Sequence, residues 1–150
     1  MKLPIRSLLP ALGSLALNLC SVSRAELPPW VYGQEQRQAP YALELLVRSV
    51  HSTGTAAAGQ RLQVQAQVVE VKRQPPGARL KPGDRIMLGY ALPQPRPQGW
   101  VGPSPLPQLE PGERMPAWLT LDPDRPGSYQ PAAGGRSFGP SLETVVEPAS

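Results

Sequence analysis

Cysteine is almost missing from this chain: among 150 residues only Cys20 carries a thiol. A disulfide-stapled fold is thereby excluded, as is a structural zinc site built on cysteines. Histidine is as scarce, with His51 alone, so clustered imidazole ligands are excluded and only one side chain could serve as the usual base of a nucleophilic triad. Aromatics make up 5% of the residues, and Phe138 is the single phenylalanine; each large ring is therefore a candidate anchor or contact. Long apolar runs are lacking too. The best one, from about Leu8 to Leu19, is interrupted by Pro10, Gly13, Ser14 and Asn18 and falls short of the ~20 residues of a spanning helix.

That N-terminal stretch has a short basic start (Lys2, Arg6), the apolar centre, and a polar end closing on Ser23-Arg24-Ala25. This is the order of a secretory signal peptide cut after a small residue. Residues 1–25 are read as a removable export signal, the only part meant for a membrane, and the destination as periplasm or extracellular space. Acylation at Cys20 would call for a small residue before it, where Leu19 stands. The charge balance shifts with cleavage. The whole chain carries +4, but taking Lys2, Arg6 and Arg24 from its 15 basic residues leaves only one more than the 11 acidic ones. No dense basic cluster remains, so a nucleic-acid partner is not expected.

What is abundant is proline, with 21 residues. Residues 26–39, "ELPPWVYGQEQRQA", are proline-led and polar, and are expected to form an extended N-terminal arm. Residues 40–140 are read as one domain and 141–150 as a tail. In "QRLQVQAQVVEVKR", Leu62, Val64, Ala66 and Val68 alternate with polar residues, the signature of a half-buried strand. At Val68-Val69 the alternation changes phase, which implies a bulge or sharp coil of the kind that lets one strand serve both halves of a small barrel. "DRIMLGYAL" places Ile86, Leu88, Tyr90 and Leu92 on one face, and should pair with the preceding strand as a hairpin. The segment "PYALELLVRSV" fits a strand through Tyr41, Leu43, Leu45 and Val47 and a helix through Leu43, Leu46, Val47 and Val50; it is assigned as a strand. From Pro93 to Pro111 the chain is too rich in proline for a helix or central strand, and reads as a long ordered excursion. "PAWLTLD" resumes as a strand, with Leu119 and Leu121 on one face, and Pro116 suggests an edge.

Two stretches echo each other: "LKPGDRIML" (80–88) and "LEPGERMPAWL" (109–119). Each runs Leu, one residue, Pro-Gly, an acid and an arginine before an apolar segment. Pro-Gly suits the central positions of a type II turn, so this is one turn solution used twice. The order of long coiled strand, Gly-Asp turn and strand, excursion, then Gly-Glu turn and strand resembles the OB-like barrels of the netrin and tissue-inhibitor-of-metalloproteinase type. It is also similar to small exported bacterial proteins of unknown function, of cyanobacterial type. The resemblance implies an all-β, five-stranded OB-like Greek-key barrel, with a long proline-rich excursion between strands. The cysteines of the animal modules are absent, so it implies an architecture and no inhibitor role.

Candidate chemistry is thin. His51 sits beside Ser49, Ser52 and Thr53 with Glu44 as a distant orienter, and is read as a solvated loop residue. Asp122, Asp124 and Gly127 echo a calcium loop without its remaining ligands, and Asx-type turns account for them. Gly134-Gly135-Arg136-Ser137 is read as a tight turn that lets Phe138 pack back on the barrel. No catalytic residue, metal or cofactor is assigned. The expected function is a non-catalytic binding or interaction module of the cell envelope, engaging an unknown protein or envelope component. A hydrolase using His51 and a structural accessory of an envelope complex are the alternatives. Trp30 and Tyr32 in the arm and Trp100 in the excursion are the candidate partner-binding residues, because aromatic side chains give large contact area for little lost rotamer freedom.

Overall fold

The segment that fits both a strand and a helix, "PYALELLVRSV", falls in the strand β1, Tyr41–Thr55, which has partners along both edges at its start. It pairs with β2, Gly59–Arg73, along nearly its whole length, and over Tyr41–Leu46 also with β4, Arg114–Leu121. The computed structural model describes residues 26–94, 96, 98–99 and 102–150. The predicted export signal lies outside these. The remaining strands are β3, Arg85–Leu92, antiparallel to β2, and β5, Ser128–Pro131, antiparallel to β4 and parallel to β3. The order β1-β2-β3-β5-β4 closes on itself as a barrel, so the expectation of an all-β, five-stranded OB-like barrel holds.

The barrel interior is filled by the inward residues of β1 to β4: Leu43, Leu45, Leu62, Val64, Val68, Leu88 and Leu119 are at most 1% exposed. Truncating one of these leucines to alanine would cost about 2–5 kcal/mol. Phe138 closes the barrel as expected, bridging to Ala117 and lying 5.7 Å from the Tyr90 ring. A smaller cluster of Ala39, Ala42, Trp118 and Ala133 packs on the outside of β1 and β4. This second layer explains the ambiguous pattern at the start of β1, where Tyr41, Ala42 and Leu43 are buried in succession.

The phase change in β2 is a bulge. Glu44 pairs with Glu70 and Leu45 with Val68, which leaves Val69 unmatched. A second irregularity leaves out Lys72, and a third lies in β1, where Val47 pairs with Ala66 and Ser49 with Gln65 so that Arg48 is the extra residue. Bulges bend the strand and raise its twist, which lets two 15-residue strands wrap a narrow barrel.

The twin Pro-Gly turns secure these bends. In the first, the Asp84 amide donates to Lys81 O (3.1 Å) and the Asp84 carboxylate accepts the Lys81 amide (3.0 Å). In the second, the Glu113 amide donates to Glu110 O (3.2 Å) and its carboxylate accepts the Glu110 amide (2.8 Å). Both glycines hold positive φ, 95° at Gly83 and 91° at Gly112. Each turn then grips one residue of a neighbouring strand. Gly83 N donates to Val68 O (2.7 Å) while Val68 N donates to Asp84 O (2.8 Å). Likewise Gly112 N donates to Val47 O (2.9 Å) and Val47 N to Glu113 O (2.8 Å). Val68 and Val47 are the residues immediately before the Val69 and Arg48 bulges.

Two expectations need correction. The N-terminal arm is not extended: Pro29–Gln38 forms the helix α1. Pro29 suits the first helical position, where its fixed φ is favourable and no amide is needed. The rest of the helix is held by polar contacts that its weakly apolar sequence does not advertise. Arg73, at the end of β2, donates to Gln36 O (2.6 Å) and Ala39 O (3.1 Å) and pairs with Glu143 (2.8 Å). Gln36, wholly buried, donates to Arg136 O (2.8 Å) and accepts the Leu142 amide (2.6 Å). Nor does Pro116 mark an outer strand. It pairs with Glu44 inside β4, and its ring nitrogen faces the segment after β5, where only its carbonyl is used, by Gly139 N (3.1 Å). Leu121, two residues after the buried Leu119, lies at the strand end and is 51% exposed.

Gly83→Ala and Gly112→Ala should each lower stability in urea unfolding by about 1–2 kcal/mol, the cost of a β-carbon in the left-handed region. No steric clash contributes, since nothing lies within 4 Å of where a β-carbon would stand at either position. A second test uses Tyr90, whose hydroxyl donates to Pro107 O (2.7 Å). Burial pushes its pKa up to about 12, against a hydrogen bond from the Leu109 backbone and with a smaller push from the Glu113 charge. The unfolded chain therefore ionises first, near pH 10, so the Tyr90 contribution is full below that pH and is lost as pH rises through about 12. In Tyr90→Phe this alkaline loss of stability should be reduced when unfolding is measured between about pH 9 and 12.

Candidate binding face

Of the three expected recognition aromatics, two fall among the described residues, both on α1. Trp100 lies outside the described residues. Trp30 is half-buried on α1, and Tyr32 is 2% exposed. The Tyr32 hydroxyl accepts the Ser104 amide (2.9 Å) and donates to Glu26 (3.4 Å), whose carboxylate also accepts the Ser104 hydroxyl (2.6 Å). Tyr32 thus pins the proline excursion to α1. Gly135 has a related reason: a β-carbon there would overlap the Ser104 carbonyl. The Gly-Gly turn is a close-approach device, in line with its reading as a tight turn.

His51 is exposed on β1 opposite Gln63; it belongs to a strand, not a loop. Residues 51–58 form the exposed end of the β1–β2 hairpin. Among the described residues no group of three His, Cys, Asp or Glu side chains could hold a metal. Asp122 is buried and accepts the Asp124 amide (2.9 Å), the Asx-type turn anticipated for this segment.

A more open surface lies on the outside of β2 and β3. Inward residues alternate with outward ones, so Arg61, Gln63, Gln65 and Gln67 share the outer face with their partners Ala91, Gly89, Met87 and Arg85. Ser49 extends this polar face on β1 by donating to Gln65 Oε1 (3.5 Å), and Arg48 donates to Gln67 (2.9 Å from its Nε). Gly89 has a use here. The Arg61 guanidinium lies 3.2 Å from where a β-carbon of residue 89 would stand, and crosses β3 to face Asp122 at 3.8 Å. A strand glycine thus clears the path of a side chain toward the β4–β5 loop.

At the other end of this face is a cavity of about 340 Å³ lined by Gln65, Arg85, Met87, Leu80, Ile86 and Tyr129, with Gly127 at its edge. It opens where β5 begins late: parallel pairing starts at Met87 with Ser128, so among the described residues Arg85 and Ile86 have no strand partner on that side. Met87 is 40% exposed, and the Arg85 side chain makes no hydrogen bond or ion pair with any described residue. Burial raises the pKa of the Tyr129 hydroxyl, with its neighbour Tyr41, by charge and by hydrogen bond, and Asp84 adding to the effect. The arrangement offers donors beside an apolar wall and has no nucleophile paired with a base. The alternation in "DRIMLGYAL" leaves Arg85, Met87, Gly89 and Ala91 on the face opposite Ile86 and Leu88, and sequence reasoning gives them no role. Met87, an apolar residue on a solvent-facing strand position, was the available signal.

Tyr32→Phe removes the acceptor of the Ser104 amide. It should cost about 1 kcal/mol and raise hydrogen exchange at the Ser104 amide, while amides in β2 and β3 keep their protection.

No known family model matches the chain, and no curated protein matches it.

Proposed function

We propose that this protein is an exported, non-catalytic binding module of the cell envelope that holds its partner on the outer β2–β3 face. The observation that carries this reading is the cavity in which Arg85, without a partner among the described residues, meets the exposed Met87 and the half-buried Tyr129. The glutamine-rich strand surface continues from it toward the exposed hairpin end. OB-type barrels commonly bind across strands 2 and 3, flanked by the β1–β2 and β4–β5 loops. Architecture of this kind supplies a location, while the residues supply the chemistry. Kinship with the netrin and tissue-inhibitor type belongs to the same proposal. So does export, which rests on the order of charges and apolar residues in positions 1–25. Cleavage after Ala25 would leave the Glu26 side chain free to keep its contacts with Ser104 and Tyr32.

Two measurements test this. The exported protein should have an intact mass starting at Glu26; retention of Met1 would remove the export reading. A photo-crosslinking side chain placed at Gln63 or Met87 in the producing cells should give a discrete adduct, whereas the same probe at exposed Arg125 or Glu147 should not. Equal labelling from all four positions would refute the assignment of the face.

A further inference from the structure

We propose that the cavity beside Arg85 is a subsite for the C-terminal carboxylate of a peptide whose last side chain is apolar, an inference that rests on the β2–β3 face being the binding surface. Each of the twin turn motifs ends in an arginine that opens a strand, Arg85 on β3 and Arg114 on β4. Arg114 has a carboxylate: its Nε lies 3.0 Å from Glu44. The registers are equivalent, since Arg114 pairs with Leu46 and the next same-face pair is Pro116 with Glu44, while Arg85 pairs with Gln67 and the next is Met87 with Gln65. Gln65 therefore occupies the position that Glu44 holds in the other copy. One motif is neutralised within the chain; the other presents its guanidinium to the cavity.

The surroundings select the ligand. The cavity is lined by donors, the Arg85 guanidinium and the Gln65 amide, whose Oε1 is turned toward Ser49, and by the Tyr129 ring; among the described residues no acidic side chain lines it. The nearest turn acid, Asp84, is folded back onto the Lys81 amide at 3.0 Å. An arginine binds a carboxylate through two parallel hydrogen bonds, a geometry that favours this planar anion. Leu80, Ile86 and Met87 form an apolar wall beside it. The volume, about 340 Å³, is near the lower limit for small-molecule sites, enough for one or two residues and too little for a long acyl chain. The unpaired β3 edge at Arg85 and Ile86 and the bare backbone of Gly127 leave room for a main chain to approach.

The test titrates the purified exported protein with N-acetyl-alanyl-leucine, its C-terminal amide, octanoate and inorganic phosphate, following the Met87 methyl and Arg85 Nε resonances by NMR. The free peptide acid should shift both signals saturably, and loss of a charge-assisted hydrogen bond predicts about tenfold weaker binding of the amide. Arg85→Gln should weaken the acid by a similar factor. Gln65→Glu is the sharper variant, because it recreates the internal pair of the other motif: binding should be lost while the resonances of the core stay in place. The proposal is overturned if the amide binds as well as the acid, if octanoate or phosphate binds as well as the peptide, or if Gln65→Glu binds like the wild type. Adducts from Gln63 and Met87 together with any of these results would leave the face as the binding surface and remove only the carboxylate subsite.

Discussion

Closing a narrow barrel with two 15-residue strands forces each of them to bend, and a bent strand leaves backbone groups without a ladder partner. The structure depends on how those groups are satisfied. At Val68 and at Val47, each directly before a bulge, the amide and carbonyl are taken up by the backbone of a Pro-Gly turn. The turn also starts the next strand, so a single device ends one ladder, supports the bend and sets the register of the following strand. Leu80 and Leu109, which open the two motifs, pack against the barrel core and tie each turn to the interior. Buried backbone groups left unpaired would each cost about as much as a lost hydrogen bond, and here the cost is avoided at both bends in the same way.

The outer layer depends on polar contacts instead of apolar area. The helix α1 contributes Tyr32, Gly33 and Gln36 to the interior, and its position follows from Arg73, Gln36 and Glu143. Gly33 belongs to this arrangement, because a β-carbon there would overlap the Leu142 carbonyl. The helix and the C-terminal residues thus converge on the end of β2. The proline excursion is joined to the same layer through Ser104, leaving the outer face of β2 and β3 on a different part of the barrel. This division separates a surface used for packing, which takes up Tyr32 and Trp118, from one that keeps polar donors available.

The asymmetry between the motif arginines shows how similar local structure can serve different ends. Arg114 and Arg85 follow the same turn and open equivalent strands, yet the strand opposite offers a glutamate to one and a glutamine to the other. The first pair, on the surface, adds little to stability. The second arginine lies beside a cavity with apolar walls, the place proposed above as a carboxylate subsite.

The sequence by itself determined four of the five strands and the twin turns, but not the short β5. Alternation in β2 and β3, the phase change at Val68-Val69 and the repeated Leu-x-Pro-Gly-acid-Arg pattern are local features, governed by side-chain period and backbone φ; they pointed to a small barrel, and its OB-like form came from the resemblance they carry. Tertiary structure decided what depends on residues far apart in the chain. The helix α1 is stabilised by Arg73, Arg136 and Leu142, which lie 37, 100 and 106 positions from Gln36, so its own composition read as an extended arm. The packing role of Tyr32 also came from tertiary structure, since its hydroxyl meets Ser104 72 positions away. The cavity was not legible either, because it forms where the pairing of β5 starts only at Met87 of β3, and because Arg85 gains its meaning only from the glutamine that register places beside it.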